Sequence, residues 1–272
     1  MMVDGRVTKP VSQGRMAVRD LVDGLKAHRV WMMLAKMDIR QRYRRSVIGP
    51  FWITLTMVIW ILAIGPLYSH LLREQPDVFI PYLAVGIITW SLISSLLLEG
   101  ATAFVSAENL VRSVKLPYTV HILRVLQRNL IVFLHNLIAF LPFMLYLGIR
   151  PHSSWLLAIP GVLLIMLAAL PTAFLLGTLS ARYRDLQQII NSIVQLAFFV
   201  TPIFWRADLL HDRAWIANFN PFHVLLEGVR YPIVSGVPPI AVYVRILVLM
   251  LILYAVSVPF FSRYRRRLAF WV

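Results

Sequence analysis

Intervals without Asp, Glu, Lys or Arg recur along this chain, and six of them reach membrane length or nearly so. They are Ser46–Leu72 (27 residues), Val78–Leu98 (21), Asn129–Ile149 (21), Pro151–Ala181 (31), Leu186–Trp205 (20) and Ile246–Ser262 (17). A charge at the bilayer centre costs about 2.5–3.5 kcal/mol on insertion scales, and a helix needs roughly 20 apolar residues to cross about 30 Å of hydrocarbon. Most intervals suffice as they stand; the sixth reaches span length if it starts near Ile240, with Arg245 snorkelling toward the headgroups. Helix is the expected state, because a spanning backbone must satisfy its own hydrogen bonds in lipid and no alternating ten-residue segments of a barrel are present. The pattern predicts an all-α membrane protein with six transmembrane helices. Pro66, Pro142, Pro160, Pro171 and Pro202 fall inside the spans and are expected to kink rather than break them.

The segments between spans have patterns of their own. Val18, Leu21, Val22 and Leu25 recur at i, i+3, i+4 and i+7, with Arg19, Asp20, Asp23 and Lys26 on other faces, and the cluster Arg40, Arg42, Arg44 and Arg45 follows. This predicts an N-terminal amphipathic helix lying on the membrane surface, or a plain basic anchor. Ser106–Arg128 reads as a short helix stopped at Leu116-Pro117 before the chain returns to the membrane at Asn129; it is either a protrusion that docks a partner or an ordinary loop. Between the fifth and sixth spans, Ala214–Leu226 is a charge-free run of 13 residues. That length is typical of a re-entrant or interfacial segment and suits a lid; a partly buried external helix is the alternative.

Composition agrees with the pattern. Hydrophobic residues make up 59% of the chain and charged ones 14%, and mean hydropathy is +0.73. A soluble domain carries roughly a quarter charged residues, so this chain has too few to cover a water-facing surface. Its 27 Lys+Arg against 12 Asp+Glu give a net charge of +15, which fits either nucleic-acid binding or a topological signal. Six spans place both termini on one side, and 21 of the 27 basic residues share it. By the positive-inside rule both termini are then cytoplasmic, and nucleic acid loses most of its support as a partner. No secretory signal is expected, since the first apolar run follows about 45 residues of basic sequence. The chain divides into a cytoplasmic N-terminus (1–45), one membrane domain (46–262) and a basic tail (263–272).

Catalytic constellations are scarce. The absence of cysteine excludes disulfides, thiolate metal sites and cysteine catalysis. None of Lys9, Lys26, Lys36 or Lys115 precedes Ser or Thr, so there is no phosphate-binding loop, and the seven histidines show no metal spacing. Polar residues within the spans remain. Glu99 closes the second span as an ion-paired helix end or as part of a path, while His135 and Asn136 read as packing hydrogen bonds. In the fifth span Gln188, Asn191, Gln195, Phe198, Pro202 and Trp205 follow steps of three and four, a stripe of amides leading to aromatics. Amides bond hydroxyls and aromatic faces pack on sugar rings, which suits a carbohydrate path; inter-helix bonding is the alternative. Phe51 and Trp60 stand on opposite faces of the first span.

Several segments in order resemble one family. Arg42-Tyr43-Arg44-Arg45-Ser46-Val47-Ile48-Gly49-Pro50-Phe51-Trp52, Arg182-Tyr183-Arg184-Asp185-Leu186, Phe198-Phe199-Val200-Thr201-Pro202-Ile203-Phe204-Trp205 and Asn220-Pro221-Phe222 with Glu227 and Arg230 resemble motifs of ABC-2-type exporter membrane subunits. The likeness is greatest to those that move lipid-linked polysaccharide such as O-antigen across the bacterial inner membrane. It implies a homodimer with two copies of a separate ATPase that holds ATP and Mg²⁺, and no cofactor on this chain. It further implies ATPase coupling at Glu108, Asn109, Arg112, Lys115 and Pro117, and a channel lined by Trp52, Gln195, Phe198 and Trp205. An external gate would lie at Phe219, Asn220, Pro221 and Phe222, and Arg42, Tyr43, Arg44 and Arg45 would form an interface helix end able to receive a lipid pyrophosphate. Capsule or teichoic-acid export is the near alternative. A polyprenyl-phosphate transferase would need acids or a His-Asp pair at the membrane surface, and a passive channel would not need the lid.

Overall fold

The computed structural model describes residues 13–44, 46–49, 51–213 and 215–272. Among these residues there are helices and no strands. In chain order the α-helices are α1 (Gln13–Lys26), α2 (His28–Arg42), α3 (Phe51–Leu71), α4 (Pro76–Ala101), α5 (Glu108–Ser113), α6 (Tyr118–Ile138), α7 (Leu141–Leu147), α8 (Ala158–Arg182), α9 (Leu186–Val200), α10 (Trp215–Phe219), α11 (Pro221–Val234) and α12 (Ile240–Trp271). Five stretches are long and apolar enough to cross a membrane: α3, α4, α6 with α7, α8 with the turn before it, and α12.

α4 is the centre of the bundle. Its residues from Phe79 to Ile93 are apolar or small on every face, and nearly all are buried against α3, α6, α8, α9 and α11, as expected of a helix hydrophobic all round. α12 packs along α8. α3 contributes one face, with Ile61, Gly65 and Ser69 buried, and leaves Phe51, Trp52, Leu55, Trp60 and Leu67 exposed.

Several boundaries differ from those read off the missing charges. The third crossing begins at Tyr118, not Asn129; Arg124 and Arg128 are tolerated inside α6 because carboxylates meet them. The sixth begins at Ile240 as expected and continues as helix through the basic tail. The fifth interval forms a helix of only 15 residues, α9, which ends at Val200. Pro66 and Pro171 lie within helices, and Pro160 falls in the first turn of α8, where it disrupts little. Pro202 follows a break instead of making a kink, and Pro142 sits in the first turn of α7 after the interruption at Ala139–Phe140. Arg45, Pro50 and Ala214, named above in three predicted features, lie outside the described residues.

Candidate functional site

At the Glu99 end of the bundle, four half-buried charges and the exposed Arg42, from three helices, form one chain. Asp38 of α2 accepts from Arg124 Nε at 2.7 Å and from Arg128 Nη1 at 2.7 Å. Arg128 turns its other edge to Glu99, donating from Nε at 3.1 Å and Nη2 at 2.7 Å, and Asn129 Nδ2 donates to the same oxygen at 2.7 Å. The second Glu99 oxygen accepts from Arg42 Nη2 at 2.9 Å. The order is therefore Arg124, Asp38, Arg128, Glu99, Arg42, with opposite signs alternating. The hydrogen bond to Glu99 raises the Arg42 guanidinium above its ordinary value. Glu99 is the ion-paired helix end of the two readings offered above. Asp38, Arg124 and Arg128 were missed, although both Asp38/Arg42 and Arg124/Arg128 stand four apart, the spacing of one helix face.

A second carboxylate ties α1 to the same end. Asp20, 3% exposed, accepts from the backbone N–H groups of Tyr118 and Thr119 at 3.1 and 3.0 Å, from Thr119 Oγ1 at 2.8 Å and from Arg265 Nη2 at 2.8 Å. It supplies from another helix the acceptor that a capping residue of α6 would provide, since Pro117 at that position has none. Pro117 thus starts α6. α5 stands beside it: Glu108 meets Arg112 at 2.9 Å and Arg184 at 3.8 Å, and Arg112 also donates to the Val272 carbonyl at 2.6 Å. Asn109, Arg112 and Lys115 are exposed. Of the basic cluster, Arg44 is exposed with no ion pair among the described residues, Tyr43 is half-buried, and Arg42 is already occupied by Glu99.

At the opposite end, α11 climbs antiparallel to α4. Phe222 packs on Trp90 with ring centroids 5.6 Å apart, and eight residues along each helix Arg230 lies over the Tyr82 ring at 3.9 Å. Arg230, only 2% exposed, is held by Glu227 and donates through Nη1 to the Pro202 carbonyl at 2.6 Å. Tyr82 Oη donates to the Trp205 carbonyl at 3.0 Å, and the Trp205 indole donates to the Phe199 carbonyl at 3.2 Å. The non-helical residues after α9 thus have much of their backbone bonded. Asn220 caps α11, accepting from Phe222 and His223 N–H, and donates to Thr201 Oγ1 at 3.0 Å. Pro221 occupies the first helical position, where its missing N–H does no harm. Of the predicted gate residues Phe222 is packed inside, Asn220 and Pro221 build the turn, and Phe219 is 81% exposed.

α9 buries Ile190 and Val194 against the bundle and exposes Gln188, Asn191, Ser192 and Gln195. The expected stripe does not continue beyond them. Phe198 is half-buried, 5.9 Å from Trp90 and 5.6 Å from Phe204 between centroids, and the helix ends before Pro202 and Trp205. Trp52 is exposed on α3. Asn136 donates to Ser91 Oγ across α4 and α6, and His135 bonds the Ile131 carbonyl of its own helix. The amides of α9 are therefore left facing outward from an apolar bundle, and none was expected to stand apart from its aromatics.

A multi-helix membrane bundle with paired charges at one end and a clamped short helix at the other has relatives. The chain is similar to the O-antigen export system permease protein RfbA of Klebsiella pneumoniae, 23% identical over 241 residues, covering 88% of this chain and 93% of that protein. It is similar also to the protein of the same name from Myxococcus xanthus, 28% identical over 203 residues, covering 72% and 76%. A second Klebsiella pneumoniae protein of that name is 21% identical over 241 residues. Residues 29–234, from α2 to the end of α11, match the ABC-2 type transporter family, and the chain belongs to that family as a multi-pass membrane subunit.

Proposed function

We propose that this chain is the membrane half of an ATP-driven exporter of lipid-linked polysaccharide, two copies enclosing the path between the exposed faces of α3 and α9. The observation that carries the reading is the exposed amide row Gln188, Asn191 and Gln195 on α9. Unpaired amides facing hydrocarbon cost about 1–3 kcal/mol each, so this face is covered by a second copy or by water. A path lined by amides with Trp52 opposite suits a hydroxyl-rich cargo, and the names of the relatives point to O-antigen. Capsule and teichoic-acid polymers obey the same chemistry and remain the alternative cargo.

In this reading the chain crosses six times. α9 covers about 22 Å at 1.5 Å per residue, and the non-helical, bent residues 201–205 follow it to the far surface; non-helical backbone at depth needs partners, which Arg230 and Tyr82 supply. α10 and α11 form the re-entrant lid on the outside of the inner membrane. α1 and α2 lie at the cytoplasmic surface with both termini inside, and α5 receives a separate ATPase carrying ATP and Mg²⁺. The Asp38, Glu99 and Arg128 chain then links the surface helix to the spans.

The absence of native cysteine makes the test direct. Gln195→Cys should crosslink between copies in membranes, while Leu163→Cys, exposed on α8, should not. A clean deletion should leave polymer made but retained inside. Normal surface polymer in that deletion, or no crosslink at Gln195→Cys, would defeat the proposal, and analysis of the retained polymer separates the cargo alternatives.

A further inference from the structure

At the end of the bundle opposite Glu99, a cleft of about 180 Å³ opens between α11 and the start of α12. His223, Glu227 and Tyr231, at steps of four on α11, share it with Arg245 of α12 and Asn218 of α10. The cleft has a deep side and an open one. His223 is 7% exposed and Glu227 is half-buried, whereas Arg245 and Asn218 are exposed. Arg245 Nη1 donates to Asn218 Oδ1 at 2.9 Å and meets no carboxylate among the described residues.

The deep side holds acceptors without donors. His223 Nδ1 has no hydrogen-bond partner; Glu227 Oε1 lies 3.9 Å away, beyond bonding range. Glu227 gives that same oxygen to Arg230, and its Oε2 accepts no hydrogen bond among the described residues. A neutral imidazole keeps one acceptor nitrogen, and a buried polar group left unpaired is unfavourable, a state that an entering donor would relieve. From floor to mouth the order is therefore imidazole and carboxylate, then guanidinium. A matching ligand carries its cation ahead of its anion. A phosphoethanolamine group does so, with a primary ammonium to donate N–H and a phosphate to accept from Arg245. Beyond Arg245, Val248 and Ile252 lie on the same side of α12 and are exposed, an apolar track suited to an acyl chain.

We infer that this cleft binds one phosphatidylethanolamine-type lipid, its ammonium donating to His223 and Glu227, its phosphate on Arg245, and a chain along α12. Hydrogen bonding and charge together decide the headgroup. Phosphatidylcholine carries the same charges but has no N–H to donate, and phosphatidylglycerol donates hydroxyls but brings no cation to Glu227. The bound lipid would fasten α11, and with it the Arg230 clamp, to α12.

The full-length chain, purified from bacterial membranes in mild detergent, is examined by native mass spectrometry and titrated with phosphatidylethanolamine, phosphatidylcholine and phosphatidylglycerol. One phosphatidylethanolamine per chain should bind, about tenfold more tightly than either of the others. Arg245→Gln removes the phosphate contact at an exposed position and should weaken all three lipids. His223→Phe removes the acceptor alone and should lower phosphatidylethanolamine to the level of phosphatidylcholine, with wild-type helicity and elution volume. If His223→Phe does not fold, Arg245→Gln and the three lipids on the wild-type chain decide. Equal affinity of the wild type for phosphatidylethanolamine and either other lipid would overturn the inference. So would phosphatidylethanolamine affinity unchanged by Arg245→Gln, a preference kept by folded His223→Phe, or displacement of the lipid by equimolar soluble O-phosphoethanolamine. None of these readouts depends on export.

Discussion

Arg230 shows how much a single side chain organises here. It is 2% exposed, paired with Glu227, stacked on Tyr82 and bonded to the carbonyl of Pro202. Removing one member of a buried pair costs about 3–5 kcal/mol, because the other charge is stranded. Arg230→Met should therefore lower the melting temperature of the purified protein sharply, and adding Glu227→Gln should recover part of the loss. An unchanged melt for Arg230→Met would show that the clamp carries no stability. Asp20 is the counterpart at the other end. Asp20→Ala removes the acceptor for the first N–H groups of α6, worth about 1–2 kcal/mol for a cap, and releases Arg265. Amide hydrogen exchange in α1 should speed up while α4 stays protected; equal protection of α1 in both proteins would contradict the anchoring.

Among the elements, α8 and α11 come together at glycines. A Cβ on Gly161 would lie 2.0 Å from the Gly228 carbonyl oxygen, so the backbones themselves must part. Gly161→Ala should destabilise by about 1–3 kcal/mol, the usual cost of overpacking, and displace α11. Gly14→Ala meets nothing within 4 Å and should be neutral or slightly stabilising through helix propensity. Equal melting temperatures for the two variants would remove the argument. The element boundaries follow the same logic of neighbours. α6 starts eleven residues before the charge-free interval because its arginines find Asp38 and Glu99. α9 stops at Val200 ahead of Pro202, since outside partners take up the freed backbone groups there.

Over the whole molecule, the alternating chain from Arg124 to Arg42 joins α2, α4 and α6 into one body. If this body relays ATPase closure to the spans, reversing a single charge should uncouple it. Asp38→Arg alone should abolish export while the chain still inserts, because it faces Arg124 and Arg128 at once. Asp38→Arg combined with Arg124→Asp should restore a measurable fraction of surface polymer. Export unaffected by Asp38→Arg would exclude the relay.

The sequence by itself determined the solvent and the class of fold. Charges cannot be left in hydrocarbon and helices alone satisfy their own backbones there, so the charge-free intervals mark the helices, and the motifs around Arg42, Arg182 and Asn220 mark the family. It also offered an ion-paired helix end as one of two readings of Glu99, between which the structure decided, and set the amides of α9 in one row. Only the tertiary structure decided which charges could remain inside a helix, where a proline ends one, and that Phe198 packs inward while Gln195 faces out. Those outcomes depend on partners distant in sequence, such as Asp38 for Arg124 and Arg230 for Pro202, and local hydropathy carries no information about which residues another helix will bring.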